Sequence, residues 1–170
     1  MRLRLIKPTP ELENQYSDMM QDWIDSKDEL VPFILKYDYK NFQQFIEQVN
    51  GFAKGINIPE SFVSHSTYWM INDDNRILGV VNIRHKLTDS LKRVGGHIGY
   101  GIRPSERRKG YASKILELAL IESKKIGIES VMVTCDQDNI GSIKTILKNH
   151  GEFFEDDYVE GKRINKYWIN

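Results

Sequence analysis

The chain has 170 residues, 40% of them apolar and 28% charged, and its 24 basic side chains are balanced by 24 acidic ones. That length and composition suit one globular domain, 1–170, with a substantial core, and exclude a disordered, collagen-like or coiled-coil chain. A formal net charge of zero supplies no global field for nucleic acid, and the lone Cys135 can form neither an intrachain disulfide nor a Cys-rich zinc site.

Leu3 and Leu5 alternate with Arg2 and Arg4 in a short strand that stops at Lys7-Pro8. This start lacks the apolar stretch of a secretory signal, and no apolar run reaches membrane-spanning length. A cytoplasmic protein with no membrane partner is therefore expected. Leu12, Tyr16, Met19, Met20 and Trp23 share one face of a helix over about 10–26. Phe42, Phe45, Ile46 and Val49 do the same over about 39–53, followed by a loop through Pro59. Residues 67–72 and 76–85 read as an antiparallel pair around an Asp-Asp-Asn turn. A polar loop, 86–93, leads to a strand over about 94–102 that carries Gly95, Gly96, Gly99 and Gly101. Glycines inside a strand mark a bulge or a close backbone approach.

A helix is expected from about Arg108 to Lys125, with Ala112, Ile115, Leu116 and Ala119 inward. Then come a buried strand over 129–135, a helix capped by Asp138 or Asn139 and ending near Gly151, and two closing strands, about 152–156 and 163–169. The order β, α, α, β, β, β, α, β, α, β, β indicates a mixed α/β sheet (α+β), mostly antiparallel, with about seven strands and about four helices.

The chemistry gathers where strand 94–102 turns into the central helix, in Arg103-Pro-Ser-Glu-Arg-Arg-Lys-Gly-Tyr-Ala112. A helix start offers unpaired N–H groups and the positive end of a dipole, and Arg107, Arg108 and Lys109 add mobile charge. Cations at a helix N-terminus oppose its dipole, so stability alone does not select them. A phosphate ligand does. No Gly-x4-Gly-Lys-Ser/Thr is present, and Pro104 holds the third glycine position of a dinucleotide fingerprint, which sets aside the P-loop and weakens the Rossmann reading. Small residues at Gly110 and Ala112 let a pyrophosphate approach the main chain.

Arg107-x-x-Gly110-x-Ala112 after His97-Ile-Gly-Tyr-Gly-Ile-Arg-Pro resembles the fourth strand and coenzyme A pyrophosphate loop of the GNAT superfamily of N-acetyltransferases. Val131-Met-Val-Thr-Cys-Asp with Asn139-x-x-Ser142 resembles the strand and helix that follow. The resemblance implies strands four and five splayed apart, with the pantetheine arm of acetyl-CoA between them. It also implies attack of an amine on the thioester, with a backbone N–H near Gly101 or Ile102 facing the acyl oxygen. Arg107, Arg108, Lys109, Gly110, Tyr111, Ala112 and Ser113 form the expected phosphate site, and Asn139 and Ser142 meet the cofactor from the next helix. Asn139 reads equally well as a plain helix cap.

His97 falls where several family members carry a general-base glutamate. The tyrosine that many relatives place after the fifth strand is missing from 139–150, which leaves Tyr100, Cys135, His150 and Tyr158 as candidate acids; Tyr100 is paired with His97 as the catalytic set. His65, Asn82 and Arg84 are expected on the acceptor wall. The implied reaction is acetyl transfer to a primary amine of a small molecule or peptide, with no metal; the sequence leaves the oligomeric state open, a homodimer being one option. The competing reading is a non-catalytic acyl-CoA-binding domain.

Overall fold

The computed structural model describes residues 1–170. Four strands, β1 (Arg4–Ile6), β2 (His65–Ile71), β3 (Ile77–Arg84) and β4 (Ile98–Ile102), pair antiparallel in chain order. A second antiparallel sheet orders β5 (Val131–Asp136), β7 (Lys162–Ile169) and β6 (Glu152–Val159). The seven expected strands are present, divided into two sheets.

Each face of the first sheet is covered. β3 alternates: Val80 packs with Trp69 and Ile71 against α1 (Glu13–Ser26) and α2 (Phe42–Phe52), in a cluster with Tyr16, Met19, Trp23 and Phe45. Val81 and Ile83 point the other way, to Ile115, Leu116 and Ala119 of α4 (Tyr111–Lys125). Period two in the strands and period 3.6 in the helices thus meet at two apolar seams. Each large side chain buried there contributes ~1.5–3 kcal/mol.

β4 and β5 touch at one end only. Backbone N–H of His97 donates to the Met132 carbonyl at 2.8 Å, the Met132 N–H donates to His97 Nδ1 at 2.9 Å, and the Gly95 N–H donates to Thr134 Oγ1 at 2.8 Å. A Cβ on Gly96 would stand 2.4 Å from the Met132 oxygen, and its φ is +60°, so this contact demands glycine. From Ile98 to Ile102 no backbone hydrogen bond joins β4 to β5.

One helix is additional to those expected, and one starts later. A short helix, α3 (Asp89–Arg93), lies in the polar loop, capped by Thr88 Oγ1 accepting from the Leu91 N–H at 3.2 Å. It has no buried residue, so no apolar period announces it. The central helix starts at Tyr111 rather than Arg108, because Arg108 and Gly110 have φ of +64° and +83°. α5 (Ile140–Lys148) follows β5 as expected. No helix is long and apolar enough to cross a membrane.

Candidate active site

Arg108 and Gly110, both left-handed, flank Lys109 and turn successive N–H groups to one side, the concave arrangement that receives anions. The helix then begins at once. From Arg108 to Ser113, six consecutive main-chain N–H groups donate to no protein atom. A Cβ on Gly110 would meet no protein atom within 4 Å. The glycine is required first by its backbone angle, and the space above it is open for a ligand.

This turn forms one wall of a groove of about 690 Å³. Tyr100, Gly101 and Ile102 of β4 run along it, α5 supplies Ser142, Lys144, Thr145 and Lys148 opposite, and Trp23, Glu29 and Val31 close one end. The Arg103 N–H donates to Leu78 of β3 at 2.9 Å. By the alternation of an antiparallel ladder, the Gly101 amide also faces β3, and the amides of Tyr100 and Ile102 face the gap. Of the two expected oxyanion donors, Ile102 has the right direction and Gly101 does not. Gly101 is needed for another reason: a Cβ there would lie 1.9 Å from the Val31 carbonyl oxygen. The segment after α1 lies directly on β4.

Tyr100 spans the gap. Its hydroxyl is 2.9 Å from Ser142 Oγ on α5. Burial raises its pKa, while hydrogen bonds from Ser142 and Thr145 oppose the rise, so the phenol keeps its proton at neutral pH. Cys135 is buried and its thiol is pushed up to about 11, by burial and then by the charge of Asp136, which removes it as a nucleophile.

The basic turn is more selective than its sequence. Arg107 is spent on the protein: its guanidinium donates to Asp28 and to the Ile102 carbonyl, and lies 4.9 Å over the Trp23 ring. Lys109 pairs with Glu106 at 2.8 Å. Arg108 has no acidic partner, nor do Lys144 and Lys148 across the groove. Those two lysines were not singled out by motif; their one-turn spacing on α5 is the signal that points both the same way. Asn139 caps α5, its Oδ1 accepting from the Ser142 N–H at 3.1 Å, and both residues line the groove.

Three expected roles need correction. His97 is 7% exposed and its Nδ1 accepts the Met132 N–H. The neutral ring therefore carries its hydrogen on Nε2, and a proton taken up by the ring would set one N–H against another. Burial, then the charge of Arg84, lowers its pKa accordingly. His97 fastens β4 to β5 and is not a general base. His65 and Asn82 stand behind the acceptor wall. His65 is 1% exposed, 4.8 Å from the Phe52 ring centre, with Phe33 and Phe62 against its other sides. Asn82 is wholly buried, its Nδ2 bonded to His65 Nδ1 at 2.8 Å and to Thr67 Oγ1 at 3.1 Å.

The family model for the acetyltransferase (GNAT) domain matches residues 2–152. The chain belongs to that family of acetyltransferases, whose co-substrate is acetyl-CoA. No curated protein sequence matches it. Among solved structures it is similar to an acetyltransferase from Salmonella typhimurium that modifies the N-terminal serine of ribosomal protein L7/L12. Identity there is 15%, with 98% of this chain and 93% of that chain covered and a TM-score of 0.67. The Microcin C7 self-immunity acetyltransferase MccE, solved with acetyl-CoA and AMP, is 17% identical, with 98% and 91% covered and a TM-score of 0.67. A dodecameric spermidine N-acetyltransferase from Vibrio cholerae is 12% identical, with 99% and 92% covered and a TM-score of 0.61.

Proposed function

We propose that residues 1–170 act as one domain that acetylates the primary amine of a small molecule or peptide, and that this amine enters beside the segment between α1 and α2. The run of six free amides at the mouth of an open groove carries the reading. Acetyl-CoA supplies the activated acyl group. The amides of Arg108–Ser113 hold its pyrophosphate, with Arg108, Lys144 and Lys148 adding charge at the rim. The β4 edge at Tyr100, which no strand pairs, receives the arm, and the Ile102 N–H faces the acyl oxygen. Tyr100 O–H, held by Ser142, donates the proton that the departing sulfur needs.

With His97 committed to the main chain, the amine arrives already neutral. An α-amino group, with pKa ~7.7–8.0, meets that demand at neutral pH far better than a lysine-like amine at ~10.4. Similarity to a protein that modifies an N-terminal serine is in keeping with this. A second copy of the chain has an apolar face available in Phe153 and Phe154, exposed on β6 at the edge of its sheet; light scattering tests the dimer. The activity test is release of free thiol from acetyl-CoA with a panel of α-amines and alkylamines. Turnover that rises with pH through the pKa of each amine supports the reading. Tight acetyl-CoA binding with no turnover across the panel returns the protein to the class of acyl-CoA sensors.

A further inference from the structure

Arg84 closes β3, and its main-chain N–H bonds to the His97 carbonyl at 2.7 Å. Its side chain turns to the α1/α2 face of the sheet and lies across the start of β4. Nη1 donates to the carbonyls of Gly95 and Gly96, at 2.9 and 3.3 Å, and the guanidinium carbon sits 5.7 Å from the Phe33 ring centre. Nothing balances its charge. It makes no salt bridge, and burial lowers its pKa to about 10, so it stays cationic at neutral pH. Its titratable neighbours are histidines, and its charge helps to hold His65 and His97 neutral. The contrast with Arg103 is direct: that guanidinium is buried between Asp18 and Asp22, each at 2.7 Å. A half-buried cation without a counter-ion is unfavourable, and an anionic ligand would offset that cost.

The free part of the group is its Nε–Nη2 edge, which donates to no protein atom. Two parallel N–H bonds from that edge match a carboxylate or a phosphate. Gly99 presents no side chain to it: a Cβ there would stand 3.5 Å from Nη2 and 3.6 Å from the Pro32 Cβ. From Gly99 to the Ile102 amide is about 7–10 Å along the strand. An anion held on Arg84 therefore sits a few bonds from a nitrogen placed at the acyl carbon.

We propose that Arg84 receives a negatively charged group of the acceptor, so that the amine acetylated by this protein belongs to a molecule bearing a carboxylate or phosphate close to the nitrogen. The inference rests on the transferase reading above and names its substrate class. Polyamines, which carry only positive charge, are excluded from the site by the same residue.

The test uses amines in pairs that differ only in the anion: an α-amino acid with its amide, and an aminoalkyl phosphate with its amino alcohol, with spermidine as the polycation. kcat/KM is read from thiol release for wild type, Arg84→Gln and Arg84→Lys. The expected result is at least a tenfold preference for the anionic member of one pair, and which pair shows it distinguishes carboxylate from phosphate. Arg84→Gln brings the ratio to within about twofold, and Arg84→Lys, which keeps the charge but not the fork, retains part of it. Equal use of both members, or preference for spermidine, overturns the Arg84 assignment alone. No turnover with any amine while acetyl-CoA still binds, or failure to bind acetyl-CoA, overturns the transferase reading, and this inference with it.

Discussion

Substituting Gly110 separates backbone strain from ligand charge. Gly110 has φ +83° and ψ 1°, and no atom within 4 Å of a built Cβ. Alanine there meets no clash and costs the fold ~1–2 kcal/mol for the left-handed backbone. Aspartate tolerates that conformation at least as well, so its extra effect is electrostatic. A carboxylate at 110 stands ~5 Å from a phosphate seated on the neighbouring amides, and at an effective dielectric of ~20 one such pair repels by ~3 kcal/mol. Acetyl-CoA affinity should thus fall more than ~100-fold further in Gly110→Asp than in Gly110→Ala. Calorimetric titration gives both constants, and melting curves confirm that both variants are folded. The gap should narrow with added salt, since the loop is exposed. A folded Gly110→Asp protein that binds within threefold of Gly110→Ala would show that the phosphates lie elsewhere.

His97→Ala strands the buried Met132 N–H and should cost ~1–3 kcal/mol in urea unfolding, while the pH–rate profile keeps its shape. A lost acidic limb in that profile would restore His97 as a base. Tyr100→Phe should lower kcat ~100-fold or more near pH 7 with acetyl-CoA affinity nearly unchanged. The deficit should shrink above pH ~9, where a thiol of pKa ~8.5 leaves without a proton, and a uniform deficit at all pH values would deny Tyr100 that role. His65, held down to about 4 chiefly by burial, binds fewer protons folded than unfolded between pH 4 and 6.5. Stability is therefore intact above pH ~6.5 and declines by about 3 kcal/mol as the pH falls to 4. Acid unfolding of His65→Gln should be correspondingly flatter.

The elements were legible in the sequence wherever an apolar period was imposed by burial, as in α1, α2 and the strands of both sheets. α3 was not, because a five-residue helix held by Thr88 buries nothing. The phosphate turn was legible as composition but not as geometry. Arg107, Arg108 and Lys109 look equivalent in a string, yet Asp28 and Trp23, some 80 residues upstream, claim the first, and Glu106 claims the third. His97 misled for a similar reason. Its residue type suits a base, and only the fold reveals that a backbone amide from β5 occupies the nitrogen that would take the proton. The sequence places Arg84 on the acceptor wall, but the absence of any acid beside it is a three-dimensional fact that spacing does not encode.

The contact between β4 and β5, three hydrogen bonds gathered at residues 95–97 and 132–134, makes the protein a pair of sheets pinned at one corner. Beyond the pin the two panels gape, and a linear amide-bearing arm laid along β4 would fill the opening as an eighth strand. Loading the co-substrate would then weld two panels into one plate, so that protection against hydrogen exchange spreads from β4 through β5 into β7, a strand that the ligand need never touch.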